Sequence, residues 1–71
     1  MIKIDHSFVS GLGSDPADES IVSAVISVAH DLGLTVIAEG VERPAQADFL
    51  RLNGCDLAQG YLFGSPVQVT T

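Results

Sequence analysis

The sequence has 71 residues, nine of them acidic and three basic, for a formal charge of −6, and 46% of it is apolar. That apolar share is ordinary for a globular protein and too high for a disordered one, while the length falls short of the roughly 100–150 residues of a typical domain; one small domain or part of a larger one is expected. Lys3, Arg43 and Arg51 are scattered, which argues against direct DNA or RNA binding, and so acidic a chain would need metal ions to handle a phosphate.

The N-terminus, MIKIDHSF, does not read as a signal peptide. Met1 to Ile4 is a short apolar run that Asp5 ends, and after Phe8 and Val9 comes the turn-rich stretch SGLGSDP. Asp15 and Pro16 then predict a helix start, with Asp15 as cap, Pro16 in the first position, and Asp18 and Glu19 at the positive end of the helix dipole. Ile21, Val25, Val28, Ala29 and Leu32 follow at helical spacing and predict the buried stripe, which Val22 and Ile26 widen. His30 and His6 have no second histidine at ligand spacing and read as structural or surface groups.

Gly33 ends this helix, and Leu34 to Ala38 form a nearly continuous, β-branched run that predicts a strand buried on both faces. Pro44 opens a second helix carrying Ala45, Phe49, Leu50 and Leu52, and Gly54 ends it. Cys55 to Gln59 is the third strand, leading through Gly60 into Tyr61, Leu62 and Phe63. Cys55, the only cysteine, reads as a small core residue; it leaves no internal disulfide and fits a cytoplasmic setting. Asp56 reads as a cap or brace, and Phe8, Phe49, Phe63 and Tyr61 as packing groups. No apolar run approaches the ~20 residues of a membrane span.

The order is β-α-β-α-β. Strands joined by helical crossovers run parallel, and in such α/β architectures chemistry gathers at the C-terminal ends of the strands. Glu39 ends the second strand there, with Gly40 to turn the chain. Lys3 and Asp5 end the first, on one face, and Gln59 ends the third. Lys3, Asp5, Glu39 and Gln59 are therefore expected to converge on one rim.

Three blocks resemble the EAL domain, the cyclic-di-GMP phosphodiesterase family of bacterial signalling. KIDHSFV (Lys3 to Val9) is similar to the family's KIDRSFV, AEGVE (Ala38 to Glu42) matches its late glutamate motif, and GCDLAQGYLFGSPV (Gly54 to Val67) is similar to its closing GCDLAQGYLFGRPL. The resemblance runs from Met1 to about Val67. It implies a modified (β/α)8 barrel of the TIM type, of which this chain would be the C-terminal third, with the last three strands and without the final helix. It also implies hydrolysis of cyclic di-GMP to linear pGpG with Mg²⁺ or Mn²⁺.

On that likeness Lys3 sits beside the attacked phosphate and the nucleophilic water, and Asp5 helps to hold Lys3. Glu39 binds a metal or acts as base towards the bridging water. Glu42 steadies the neighbouring loop, and Gln59 contacts the water or the phosphate side. The sequence departs from the family at His6 and Ser65, where arginine is usual. The Glu-Ala-Leu signature and the double-aspartate loop that hold the metals in the family would lie upstream of Met1. The 71 residues alone are therefore expected to be inactive and, with exposed strand edges, prone to self-association. A non-catalytic module that binds cyclic di-GMP or a protein is the alternative.

Overall fold

The computed structural model describes residues 1–60 and 67–69. The chain runs β1 (Ile2–Ile4), α1 (His6–Val9), α2 (Pro16–Asp31), β2 (Val36–Glu39), α3 (Pro44–Leu52), β3 (Leu57–Gln59) and β4 (Val67–Gln68). The strands form one sheet in the order β1-β2-β3-β4, with β1, β2 and β3 parallel and β4 antiparallel to β3. The expected β-α-β-α-β core is present. The single-turn helix α1 and the antiparallel strand β4 are additions to it.

Local chemistry sets the long helix. Asp15 accepts a hydrogen bond from Ala17 N at 2.9 Å, satisfying one of the amides that a helix start leaves unpaired, and Pro16 occupies the first turn, where its missing N–H is harmless. Glu19 reaches back to accept from Gly13 N at 3.0 Å, so the turn before the helix is pinned by the helix itself.

Pairing of Ile4 with Ala38 and of Ala38 with Ala58 puts these side chains on one face of the sheet. That face joins Val22, Ile26 and Ala29 of α2 and Leu50 of α3 in a single buried cluster, completed by Val9, Leu12, Val36, Val41 and Cys55. Val36, Ile37 and Ala38 are all buried, as the continuous apolar run predicts.

Two packing expectations are corrected. On α2 the sheet takes Val22, Ile26 and Ala29, whereas Ile21, Val28 and Leu32 are 44%, 56% and 68% exposed. Apolar residues cover so wide an arc of this helix that periodicity fixes the helix but not which part of the arc meets the sheet. Phe8 is 39% exposed rather than core, because the chain leaves the strand at Asp5 and coils into α1, and Val9 takes the inward position. Leu52 likewise faces outward, and Phe49 packs partly buried against the core. Tyr61, Phe63 and Ser65 lie outside the described residues. Among the described residues no helix is long and apolar enough to cross a membrane.

Asp56 braces the N-terminal edge of the sheet. Its Oδ2 accepts from the first strand amide of β2, Val36 N, and from His30 Nε2 in the last turn of α2, each at 2.8 Å. Partial burial works against the charged carboxylate, but the hydrogen bonds from His30 and Val36 outweigh it and hold the carboxyl below its ordinary value. Beside it, burial pushes the Cys55 thiol up to about 11, which leaves it an inert core group at neutral pH.

A carboxyl whose acidity is raised by folding stabilises the fold above the ordinary carboxylate range, near pH ~4, and loses that contribution as pH falls through its folded value. Asp56→Asn is therefore expected to lower the urea midpoint at pH 7 and to converge on the wild type towards pH ~2. Urea titrations followed by circular dichroism across that range check it. An unchanging gap would show that Asp56 does not titrate with folding.

Candidate functional site

The C-terminal ends of β1, β2 and β3 lie side by side, and the register decides what they present. Glu39 is the direct partner of Gln59, and Lys3 is the partner of Ile37. Alternation then puts Lys3, Ile37, Glu39, Leu57 and Gln59 on the sheet face opposite the helices. With strands about 4.8 Å apart and about 3.3 Å of rise per residue, Glu39 and Gln59 are immediate neighbours, and Lys3 stands diagonally about 8 Å away. Glu39 and Gln59 are half-buried and Lys3 is exposed.

Asp5 is placed differently from the expectation. It sits past the end of β1 as the cap of α1, where Oδ2 accepts from Ser7 N at 2.9 Å and Ser7 Oγ at 2.7 Å. The hydrogen bonds from the Ser7 hydroxyl and backbone hold its carboxyl below the usual value. No ion pair joins Asp5 to Lys3 among the described residues; its carboxylate serves the turn instead. Glu42 lies in the turn after β2. Its Oε1 meets His6 Nε2 at 3.1 Å, tying the turn after β2 to α1.

Two glycines allow these turns to nest. Gly40 has φ 77°, and a Cβ there would lie 2.3 Å from the His6 ring. Gly60 has φ 147°, and a Cβ there would press on Val41 N and O at 2.5 Å. The close approach at Gly60 goes with a hydrogen bond from Val41 N to Gln59 O, 2.9 Å, which carries the β2–β3 pairing past the strand ends. A side chain larger than hydrogen at Gly60 would press the two turns apart and, with them, Glu39 from Gln59, whereas one at Gly40 would displace His6.

Gln46 is a supporting residue that the sequence reading missed. Its side chain is 1% exposed. Oε1 accepts from Glu42 N at 2.7 Å and Arg43 N at 2.9 Å, and Nε2 donates to Val9 O at 3.1 Å. One buried amide thus joins the turn after Glu39 to both α3 and α1. Arg43 adds a second tie, donating from Nη2 to Ser10 O at 2.8 Å and Leu12 O at 3.3 Å. A signal for Gln46 was available. It stands two residues after Pro44, at the third helical position, where a glutamine reaches back to the amide of the cap.

As a metal centre the face is incomplete. A hard divalent ion takes about six oxygen ligands. No group of three or more His, Cys, Asp or Glu is placed to hold a metal among the described residues. The face offers one carboxylate, Glu39, and the amide oxygen of Gln59. Lys3 supplies the positive charge suited to a phosphate oxygen.

Gln46→Met keeps the side-chain volume but strands the Glu42 and Arg43 amides and takes from Val9 O one of its two donors, the other being Leu12 N. It is expected to destabilise the fold by about 2 kcal/mol, moderated by water reaching the exposed turn. Chemical denaturation checks this, and a loss below about 0.5 kcal/mol would mean that the turn rearranges without it.

The EAL domain profile matches residues 1–66. The cyclic di-GMP phosphodiesterase NbdA of Pseudomonas aeruginosa is 47% identical over 66 residues, 93% of this chain and 8% of NbdA. The EAL domain of Mycobacterium smegmatis DcpA superposes with a TM-score of 0.83 at 49% identity, over 94% of this chain and 30% of that one. The manganese/cyclic-di-GMP complex of Klebsiella pneumoniae BlrP1 superposes with a TM-score of 0.85 at 37% identity, over 96% and 17% respectively. The chain thus spans a small part of the proteins it matches, and within that part both sequence and fold agree nearly end to end. It belongs to the EAL domain family.

Proposed function

We propose that this chain forms the last three parallel strands of a barrel that hydrolyses cyclic di-GMP, and that it lends Lys3, Glu39 and Gln59 to the active site. The observation that carries this reading is the direct pairing of Glu39 with Gln59 at the C-terminal strand ends, with Lys3 on the same face. In parallel α/β architectures reactive groups gather at that end. Support also comes from NbdA, which is named a cyclic di-GMP phosphodiesterase, and from BlrP1, whose solved complex contains manganese and cyclic di-GMP.

Glu39 would give one carboxylate to a divalent ion, Mg²⁺ or Mn²⁺, whose other ligands come from residues outside this chain, or would accept the proton of the attacking water. Such an ion lowers the pKa of its bound water and takes up charge on phosphate oxygens. Lys3 would neutralise charge growing on the phosphoryl oxygens, and Gln59 would orient the water through its amide. Water adds to phosphorus, the P–O3′ ester bond breaks, O3′ takes a proton, and linear pGpG leaves. One carboxylate cannot hold two ions, so the 71 residues alone are catalytically silent.

In a complete EAL domain carrying this segment, Glu39→Gln is expected to lower turnover of cyclic di-GMP by about 10²-fold or more with the fold intact. Chromatographic detection of pGpG checks this, and unchanged turnover would remove Glu39 from the mechanism. Ligand binding without turnover in the wild type would favour a non-catalytic binding module.

The free edge of β1 and the exposed Ile21, Val28 and Leu32 further support self-association of the isolated chain. Light scattering is expected to give a mass that rises with concentration. A monomer at all concentrations would contradict it.

A further inference from the structure

The turn that carries Glu39 out of the sheet is covered from the side by α1. His6 lies so close over Gly40 that a Cβ on Gly40 would come within 2.3 Å of His6 Cδ2. Two residues further on, Glu42 Oε1 stands 3.1 Å from His6 Nε2. An ionised carboxylate only accepts, so the imidazole donates from Nε2. One side chain therefore touches the turn at both ends, by packing at Gly40 and by a hydrogen bond at Glu42. From the other side Gln46 accepts from Glu42 N, and Gln59 O accepts from Val41 N. Glu39 itself has no side-chain hydrogen bond among the described residues, so its direction is inherited from this turn.

We propose that His6 is a positioning residue for Glu39: its packing on Gly40 and its hydrogen bond to Glu42 hold the turn that keeps Glu39 on the face it shares with Gln59. The catalytic consequence rests on the phosphodiesterase reading, whereas the clasp itself does not. His6 and Glu42 are both exposed, so removing the pair perturbs the turn without opening the core.

Native-state hydrogen exchange on the 71-residue chain reads the clasp directly. His6→Ala is expected to reduce protection of the Val41 and Glu42 amides about threefold to tenfold, with Ile37 and Ala58 unchanged. His6→Gln keeps a donor at nearly the same reach and is expected to restore most of the protection. Unchanged exchange at Val41 and Glu42, or an equal loss at Ile37 and Ala58, overturns the proposal. In a complete EAL domain carrying this segment, His6→Ala is expected to lower kcat for cyclic di-GMP about tenfold with KM within about twofold, and His6→Gln to recover it. Turnover indifferent to His6→Ala overturns the positioning role. A wild-type domain without turnover refutes the phosphodiesterase reading, and the exchange measurement then decides the clasp.

Discussion

The pairing of β2 between β1 and β3 is the constraint from which the other features follow. Ala38 lies between Ile4 and Ala58 on the helix-covered face, and this leaves Glu39 beside Gln59 on the opposite one. Side chains alternate with a period of two, so a slip of one residue would drive Glu39 into the cluster of Val22, Ile26 and Leu50. Burying an unpaired carboxylate there costs several kcal/mol, which excludes the slipped register. The same apolar packing that stabilises the fold thus fixes which polar groups emerge together.

Polar braces then secure the two ends of the sheet. At the N-terminal edge, Asp56 joins β2 to the end of α2. At the C-terminal edge, Gln46, Arg43 and His6 join the turn after β2 to α1 and to the chain that follows it. Each neutral hydrogen bond contributes only about 1 kcal/mol net, but the buried groups they satisfy are expensive to leave alone. Their effect is on geometry: a sheet with so few residues per strand gains its ordered rim from the turns rather than from strand length.

Charge distribution fits this division. The chain carries −6 overall, yet its polar sheet face sets the Lys3 ammonium and the neutral Gln59 on the same side as the Glu39 carboxylate. An acidic surface repels anions, and a local cation offsets that repulsion. Asp5, a further acid at this end, is turned aside to cap α1, and Glu42 meets His6, so the face presents less negative charge than the composition suggests.

Much of this was written locally. The Asp15 cap and Pro16 started α2 where expected, Pro44 started α3, the run ending at Ala38 made a strand buried on both faces, and Gly40 turned the chain behind Glu39. The three motif blocks carried the family likeness, because motifs preserve residue types at fixed spacing. Other features were decided only when distant segments met. Val22, Ile26 and Ala29 face the sheet while Ile21 and Val28 face outward, because a helix with a wide apolar arc takes its orientation from its neighbours. Asp5 serves Ser7 rather than Lys3 because the chain coils immediately after β1, and β4 runs antiparallel beyond β3. Sequence by itself determined which segments become the three parallel strands and the two longer helices and which residues stand at the strand tips, since capping, periodicity and turn chemistry act over a few residues. Tertiary structure alone decided which tips share a face and what holds them there, since register and side-chain contact join residues 20 or more positions apart, as in the pairing of Glu39 with Gln59 and the bonds from Gln46 to Val9 and from His6 to Glu42.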